Sequence, residues 1–451
     1  MKDMTKGNPT KIILFFAFPM LLGNIFQQLY NMVDSIVVGQ FVGKNALAAV
    51  GSSFMLMNFF SAVLIGLCMG TSVVLSQFFG AGDYIKLRRA VSTSFIFMLV
   101  LTIIMSLLTV VLTKPMLILM KTPEEILLSS TSYLQIIFGG LIFTLLFNYS
   151  SAILRSVGDS KTPLYFLVLA SLINIFLDLL FVIKFNMGVI GVAAATVIAQ
   201  GLSSVLCLAY AFIKLPFIRI NYKEIVFDKS LFSLIKKYSL LTALQQSIMT
   251  FGMVCVQGLV NSFGTDTMAA FTAAGKIDSI AYLPVQDFGN AFSTYVAQNK
   301  GAGNLERIKS GVKSAVKTII IFCILSSTTI LLSSRYLMHI FVSAEEVNVI
   351  NMGIEYLSVI SIFYVLIGFL FMFYGYFRGI GNLKTSIVLT IASLGTRVFM
   401  AYFLSRFPMI GEKGIWWSIP IGWALADSLG LIFYRHSTQK AQIIDTYVEV
   451  S

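Results

Sequence analysis

Two carboxylates interrupt long apolar stretches in the first half of the chain, and each shares a helical face with polar neighbours. Asp34 follows Gln27 and Asn31 at steps of four and three residues, which place all three side chains on one side of a helix. Asp178 follows Asn174 by four residues. If these stretches cross a bilayer, each unpaired carboxylate costs about 2.5 to 3.5 kcal/mol, so we expect it to face a polar cavity or a partner.

Cation binding is the chemistry that such a set supports. Carboxylate, amide and hydroxyl oxygens suit a proton or a small hard cation such as Na⁺. Asn148 and Thr196 add an amide and a hydroxyl on two further apolar stretches. We predict that Asp34 and Asp178 act as one coupled site, with carboxyl groups less than about 10 Å apart, since charges farther apart are screened. The alternative is that these polar residues only link helix to helix.

The second half carries charges of both signs within apolar stretches. Lys276, Asp278 and Asp287 lie on one stretch, and Arg397 and Asp427 lie on two later ones. Either opposite charges form structural pairs, such as Lys276 with a nearby aspartate and Arg397 with Asp427, or they act in substrate binding or gating. The candidates for a substrate cavity or gate are Gln27, Asn31, Gln246, Lys276, Asp278 and Arg397.

The elements that must position these groups are membrane-spanning helices. With 57% hydrophobic residues, 12% charged residues and a mean hydropathy of +0.87, the 451-residue chain has too little charge for a soluble protein. Each apolar stretch exceeds the roughly 20 residues that cross a bilayer as a helix. We predict an all-α integral membrane protein with twelve spans: 12–40, 46–79, 90–113, 126–154, 162–184, 188–213, 233–262, 267–299, 314–342, 349–377, 384–405 and 414–434.

The two halves of the chain repeat each other. Gln77 and the Gly-Ala-Gly of residues 80–82 return as Gln298 and residues 301–303. An Arg-x2-Gly-x2-Lys-Thr element also occurs twice with the same spacing, at 155–162 and 378–385. A duplicated membrane bundle is typical of secondary transporters. We predict two pseudo-symmetric six-helix lobes, 1–213 and 233–451, joined by a cytoplasmic loop, 214–232.

Both repeated elements have structural interpretations. The Gly-Ala-Gly elements predict tight helix exits, followed by Asp83 or Asn304 as the cap of the next helix. The Arg-x2-Gly-x2-Lys-Thr element resembles a phosphate loop but lacks the glycine spacing of that motif. We therefore interpret it as a basic turn at the inner membrane face.

The basic residues indicate orientation and exclude one class of partner. Most of the 32 Lys and Arg residues fall on one side of the membrane if both termini are cytoplasmic. They are spread over several inner loops beside anionic lipid, so the net charge of +12 does not indicate nucleic-acid binding. We predict a multi-pass protein of the cell membrane with both termini in the cytoplasm.

Histidine and cysteine do not indicate catalysis. The chain has two His and four isolated Cys, without the spacing of a metal site. An intramembrane enzyme would need a metal cluster or a nucleophile with its base. We therefore predict no enzyme activity, no catalytic residue, no cofactor and no metal beyond Na⁺ at Asp34 and Asp178.

From its two six-span halves and the two repeated elements, the chain resembles a multidrug and toxic compound extrusion (MATE) transporter of the DinF-like branch over its whole length. The resemblance implies two bundles around a central cavity that alternate between inward-open and outward-open states. It implies export of amphipathic, often cationic, compounds in exchange for H⁺ or Na⁺. It also implies a cation site in the N-terminal lobe, formed by Asp34, Asp178, Asn148, Asn174 and Thr196.

Two further expectations concern the mechanism and the alternatives. Pro19 lies within the first span and removes a backbone hydrogen bond, so we expect a helix hinge there. We also expect the transporter to be monomeric. A flippase of lipid-linked saccharides in the same superfamily is the alternative. It would need a strongly cationic cavity, for which only Lys276 and Arg397 are candidates.

Overall fold

The computed structural model describes residues 3–216 and 227–450, with side chains up to residue 439. Throughout these ranges the regular structure is helical. The helices are α1 (Pro9–Val37), α2 (Lys44–Gly80), α3 (Tyr84–Leu119), α4 (Glu124–Gly139), α5 (Leu141–Ser156), α6 (Lys161–Leu179), α7 (Gly188–Lys214), α8 (Lys229–Asn261), α9 (Thr265–Gly301), α10 (Leu305–Phe341), α11 (Val347–Ile362), α12 (Tyr364–Gly379), α13 (Leu383–Leu404) and α14 (Lys413–Val450).

The helices correspond to the predicted spans, with two bends that the sequence did not predict. Within the described ranges, nine helices are long and apolar enough to cross a membrane. Two more spans result if α4 with α5, and α11 with α12, each count as one, although they bend by 44° and 54°. The remaining span is α9, which has 37 residues but carries Lys276, Asp278 and Asp287. The all-helical membrane fold is therefore confirmed.

The bend between α4 and α5 has a packing cause. It falls at Gly140, where a Cβ atom would lie 2.6 Å from the Val197 side chain of α7. The absence of a side chain lets α7 approach the bend closely. Pro19, by contrast, lies within an uninterrupted α1. Its role as a hinge stays a prediction.

The chain forms two compact units. The first contains Met1–Ser247 and Ala297–Leu305, so it includes the start of α8 and the end of α9. The second contains Ile248–Val296 and Glu306–Ser451. In the first unit α1 packs on α6, and α7 packs on α5 and α6; in the second, α14 packs on α11, α12 and α13. The lobe boundaries at 213 and 233 stay a prediction, and residues 217–226 of the linker lie outside the described ranges.

The Gly-Ala-Gly elements mark a helix crossing in the first unit. A Cβ atom on Gly80 would overlap the carbonyl oxygen of Gln298, and one on Gly301 would overlap that of Gln77. The ends of α2 and α9 therefore touch backbone to backbone in a reciprocal arrangement. Beyond the crossing, Gly82 and Gly303 both have a φ of 69°, which terminates each helix in the left-handed region. The predicted tight exits are thus present, and the crossing adds a second reason for glycine.

The glutamine of the second element joins three parts of the first unit. Gln298 Oε1 accepts a hydrogen bond from the Met4 backbone N–H at 3.0 Å, and Gln298 Nε2 donates to the Ser156 carbonyl at 2.8 Å. Asn299 Nδ2 also donates to the Met4 carbonyl at 3.2 Å. The segment before α1 and the end of α5 are therefore attached to the end of α9.

Candidate functional site

Asp34 and Asp178 face each other in the first unit, where α1 packs against α6. Their carboxyl groups lie within hydrogen-bonding reach of each other. Asp34 is 9% exposed and Asp178 is fully buried. The separation meets the condition that we set for a coupled site, while the role of the pair stays a prediction.

The oxygen atoms around this pair lack donors. Within the described ranges, no hydrogen-bond donor reaches Asp34 Oδ1, either carboxyl oxygen of Asp178, or Asn174 Oδ1, all of which are buried. Two ionised carboxylates only accept hydrogen bonds, so a bond between Asp34 and Asp178 requires a proton on one of them. The cluster is therefore rich in acceptors and suited to a proton or a small cation.

Amide and hydroxyl groups connect the pair to α7. Asn174 Nδ2 donates to Thr196 Oγ1 at 3.4 Å. Nearby, Thr144 Oγ1 donates to Gln200 Oε1 at 2.7 Å. Asn148 Nδ2 donates to the Thr144 carbonyl of its own helix at 2.9 Å. The structure thus joins Asn174 and Thr196 directly, whereas the Asn148 side chain bonds its own backbone.

Two tyrosines belong to this cluster and were missed by the sequence analysis. The Tyr30 side chain is hydrogen-bonded to Gln27 and Gln200 and interacts electrostatically with both carboxyl groups. Tyr133, which is 5% exposed, also lies within electrostatic reach of both. Tyr30 precedes Asp34 by four residues, so the same helical spacing could have identified it. Nothing in the sequence around Tyr133 indicates its place in the cluster.

Both carboxylates lie just before a widened helical turn. α1 continues as a π-helical turn over Val38–Val42, and α6 continues as one over Leu180–Lys184. These two turns pack against each other. π-Helical turns are rare and often occur at functional sites, because the extra residue disturbs the regular hydrogen-bond ladder. Their position beside Asp34 and Asp178 supports a functional role for the pair.

Charges in the second unit have a different arrangement. Asp278 Oδ1 accepts a hydrogen bond from the Tyr364 hydroxyl at 2.8 Å. Arg397 interacts electrostatically with Asp278. The suggested pairing of Arg397 with Asp427 is therefore wrong, because the rotation of α13 turns Arg397 towards Asp278.

Lys276 also departs from the suggested ion pair. Its side chain is exposed, and its Nζ atom lies 5.6 Å from the centre of the Phe341 ring. The cation is thus held against an aromatic face. Among the described residues, Lys276 makes no ion pair with a carboxylate, so the expected pair with a nearby aspartate is not formed.

The candidates for a substrate cavity or gate divide between the two units. Gln27 is exposed on α1, Asn31 is half-buried on the same helix, and Gln246 is half-buried on α8. These three belong to the first unit, while Lys276, Asp278 and Arg397 belong to the second.

Over the described ranges, no group of three or more His, Cys, Asp or Glu side chains could hold a metal ion.

Comparisons with known proteins place this chain in a family. The MatE family model matches residues 19–180 and 242–403, once in each half. The chain is 30% identical to the probable multidrug resistance protein YpnP of Bacillus subtilis, over 98% of this chain and 99% of that protein. It is 25% identical to the probable multidrug resistance protein NorM of Thermotoga maritima, over 94% and 92%.

Solved structures agree with this relationship. A crystal structure of MATE in complex with MaL6 has a TM-score of 0.91 at 26% identity and covers 98% of both chains. The fold and these relatives thus define a multi-pass membrane transporter. The chain belongs to the MATE family, which consists of transporters rather than enzymes.

Proposed function

We propose that this protein exports amphipathic, often cationic, compounds across the cell membrane in exchange for an inward-moving cation. The observation that carries the proposal is the buried carboxyl pair of Asp34 and Asp178. Among the described residues, three of its four oxygens receive no hydrogen bond, and no cationic side chain interacts with it. The relatives named as multidrug resistance proteins support drugs as the substrate class.

A proton is the coupling ion that this geometry favours. One proton between Asp34 and Asp178 supplies the donor that neither carboxylate has, and it removes one of two adjacent negative charges. Na⁺ is the alternative, for which Asn174 Oδ1 and the Thr196 hydroxyl provide neutral oxygen ligands. In either case the bound cation relieves the repulsion between α1 and α6.

Cation binding can bias the conformation of the first unit. Without a cation, the two carboxylates repel each other in a low-dielectric environment, which favours a state with α1 and α6 farther apart. With a cation, the close arrangement of the structure is favoured. Since a ligand shifts an equilibrium by its difference in affinity for two states, this site can drive alternating access.

The energy of one cation limits what can be exported. A charge that moves through about 100 mV and down a tenfold gradient supplies about 3.7 kcal/mol. This suffices to hold a neutral compound at a gradient of several hundredfold. For a monovalent cationic drug, one-for-one exchange moves no net charge, so only the tenfold gradient of the cation remains.

The second unit does not favour a flippase of lipid-linked saccharides. A pyrophosphate group would require cations without compensating charge. Arg397 interacts with Asp278, and Lys276 lies over Phe341. These contacts leave the drug exporter as the better supported function.

Counter-transport in proteoliposomes tests the proposal. Ethidium or norfloxacin movement is measured under a pH gradient and, separately, under a Na⁺ gradient. We expect a pH gradient alone to drive wild-type transport, and Asp34→Asn to abolish it. The exposed Asp266 provides the matched control, since Asp266→Asn changes the same group outside the cluster. Full gradient-driven transport by Asp34→Asn at matched reconstitution would contradict the proposal, and movement under Na⁺ alone would identify Na⁺.

A further inference from the structure

Asp427 is a buried carboxylate in the second unit that the mechanism above does not use. It lies near the middle of the span Lys413–Gln439 on α14 and is 8% exposed. Within the described ranges, neither of its buried carboxyl oxygens receives a hydrogen bond. It therefore shares with Asp34 and Asp178 the property of an acceptor without a donor.

Among the described residues of the helices that pack on α14, one titratable group interacts with Asp427. This is Tyr374 of α12, which interacts with Asp427 electrostatically and is itself hydrogen-bonded to Thr390 of α13. On α11, Glu355 is paired with Lys413 at 2.8 Å. The Tyr374 hydroxyl group and the Glu355 carboxylate are thus engaged with other residues.

Two cations of these helices, the buried Arg378 and the half-buried Arg397, interact with other residues. Arg378 of α12 donates from Nη1 to Asn290 Oδ1 at 3.1 Å. Arg397 of α13 interacts electrostatically with Asp278. An ionised Asp427 would thus have neither a hydrogen-bond donor nor a compensating cation, an arrangement that buried carboxylates avoid by taking up a proton.

We propose that Asp427 is a second proton-binding site, located in the second unit and separate from the Asp34–Asp178 pair, and that its proton is exchanged during export. The inference rests on the proposed function of this chain. A carboxyl group that never released its proton would offer nothing over the isosteric Asn, which is polar and uncharged at every pH. If the Asp34–Asp178 pair and Asp427 each exchange one proton, two protons move inward for each drug molecule exported.

A second proton changes which driving force acts on a monovalent cationic drug. One-for-one exchange moves no net charge, so the membrane potential has no effect on it. Two protons for one drug move one net charge inward, and the potential then drives export. At about 100 mV and a tenfold proton gradient, the limiting drug ratio rises from about tenfold to several thousandfold.

The test separates the potential from the pH gradient in proteoliposomes that contain the full chain. Ethidium, a monovalent cation, is the probe, and a K⁺ gradient with valinomycin sets the potential at equal pH on both sides. We expect the potential alone to drive ethidium counter-transport by the wild type and by Asp427→Glu. We expect Asp427→Asn to lose this response while a pH gradient still drives transport.

The outcomes distinguish the inference from the proposed function. If Asp427→Asn keeps its response to the potential, the second site is refuted, although proton-coupled export stands. If Asp34→Asn keeps gradient-driven transport, the proposed function itself fails.

Infrared difference spectroscopy provides a readout that does not depend on transport. We expect wild-type protein near neutral pH to show the carbonyl stretch of a protonated carboxyl group that Asp427→Asn lacks. The Asn variant should fold, because its side chain has the shape of a neutral carboxyl group. Absence of any Asp427-dependent band would overturn the assignment.

Discussion

The acidic clusters of the two units differ in what lies beside the carboxylate. In the first unit, Asp34 and Asp178 face each other without a donor or a cation among the described residues. In the second, Asp278 accepts a hydrogen bond from Tyr364 and lies near Arg397. A carboxylate with a permanent partner is neutralised by the protein, whereas one without must obtain its charge balance from a mobile cation. We therefore propose that the Asp34–Asp178 pair exchanges a cation, whereas Asp278 is a structural acid.

The largest effect should come from removing the uncompensated pair. We expect Asp34→Asn and Asp178→Asn each to reduce gradient-driven export to the level of empty liposomes, since each removes part of one proton site. Because the two residues act together, the double variant should be no worse than either single variant. Transport rates at matched reconstitution measure this. Substantial transport in one single variant would show that the two carboxylates do not form one site.

Removing the cation of the second cluster should affect stability more than transport specificity. Arg397→Ala leaves the half-buried Asp278 without its nearby positive charge, and the loss of stability should reach at most the roughly 3 to 5 kcal/mol of a broken buried pair. Lys276→Ala removes an exposed cation–π contact worth about 0.5 to 1 kcal/mol. Thermal unfolding in detergent should therefore show a much larger loss for Arg397→Ala. Equal stability of the two variants, with an altered drug spectrum, would assign Arg397 to the substrate site.

The glycine crossing of the first unit should be the next most sensitive feature. Gly80→Ala places a methyl group on the Gln298 backbone, and overpacking of this kind costs about 1 to 3 kcal/mol. Gly51→Ala in the same helix is the control, since nothing lies within 4 Å of its added Cβ atom. We expect Gly80→Ala to lower disulfide formation between Ala81→Cys and Ala302→Cys, in a background without native cysteines. Unchanged cross-linking would indicate that the crossing tolerates a side chain.

The smallest effect should come from an acid that is already compensated outside the spans. The backbone N–H of Lys86 donates to Asp83 Oδ1 at 2.9 Å, and the Lys86 Nζ atom lies 3.1 Å from Asp83 Oδ2. These contacts lower the pKa of Asp83. The contribution of the Asp83 cap to stability should therefore be fully present at pH values above the usual pKa of aspartate. It should be lost as the pH falls through the lowered pKa of Asp83.

Two measurements check the contribution of Asp83. Protection from hydrogen exchange in the first turn of α3, relative to the intrinsic rate at each pH, should fall at acidic pH and also in Asp83→Ala. Drug transport at neutral pH should stay close to wild type in Asp83→Asn. Loss of coupling in that variant would contradict the distinction between compensated and uncompensated acids.

Helical spacing predicted part of the candidate site and tertiary packing decided the rest. Asp34, Asn174 and Asp178 were recognisable because a carboxylate within an apolar stretch is costly and its polar neighbours share its face. Tyr133 was not recognisable, since it joins the cluster from α4. The partner of Arg397 was assigned wrongly, because charge alone does not indicate how α13 is rotated against its neighbours.

The sequence by itself determined the helical membrane fold and its duplication. A spanning segment must satisfy its backbone hydrogen bonds internally, so a long apolar stretch has to become a helix. Only the tertiary structure decided the bends at α4–α5 and α11–α12, the crossing of Gly80 with Gly301, and the partners of each buried charge. These features depend on how helices are tilted and rotated against one another, which is set by packing and close approach rather than by hydropathy.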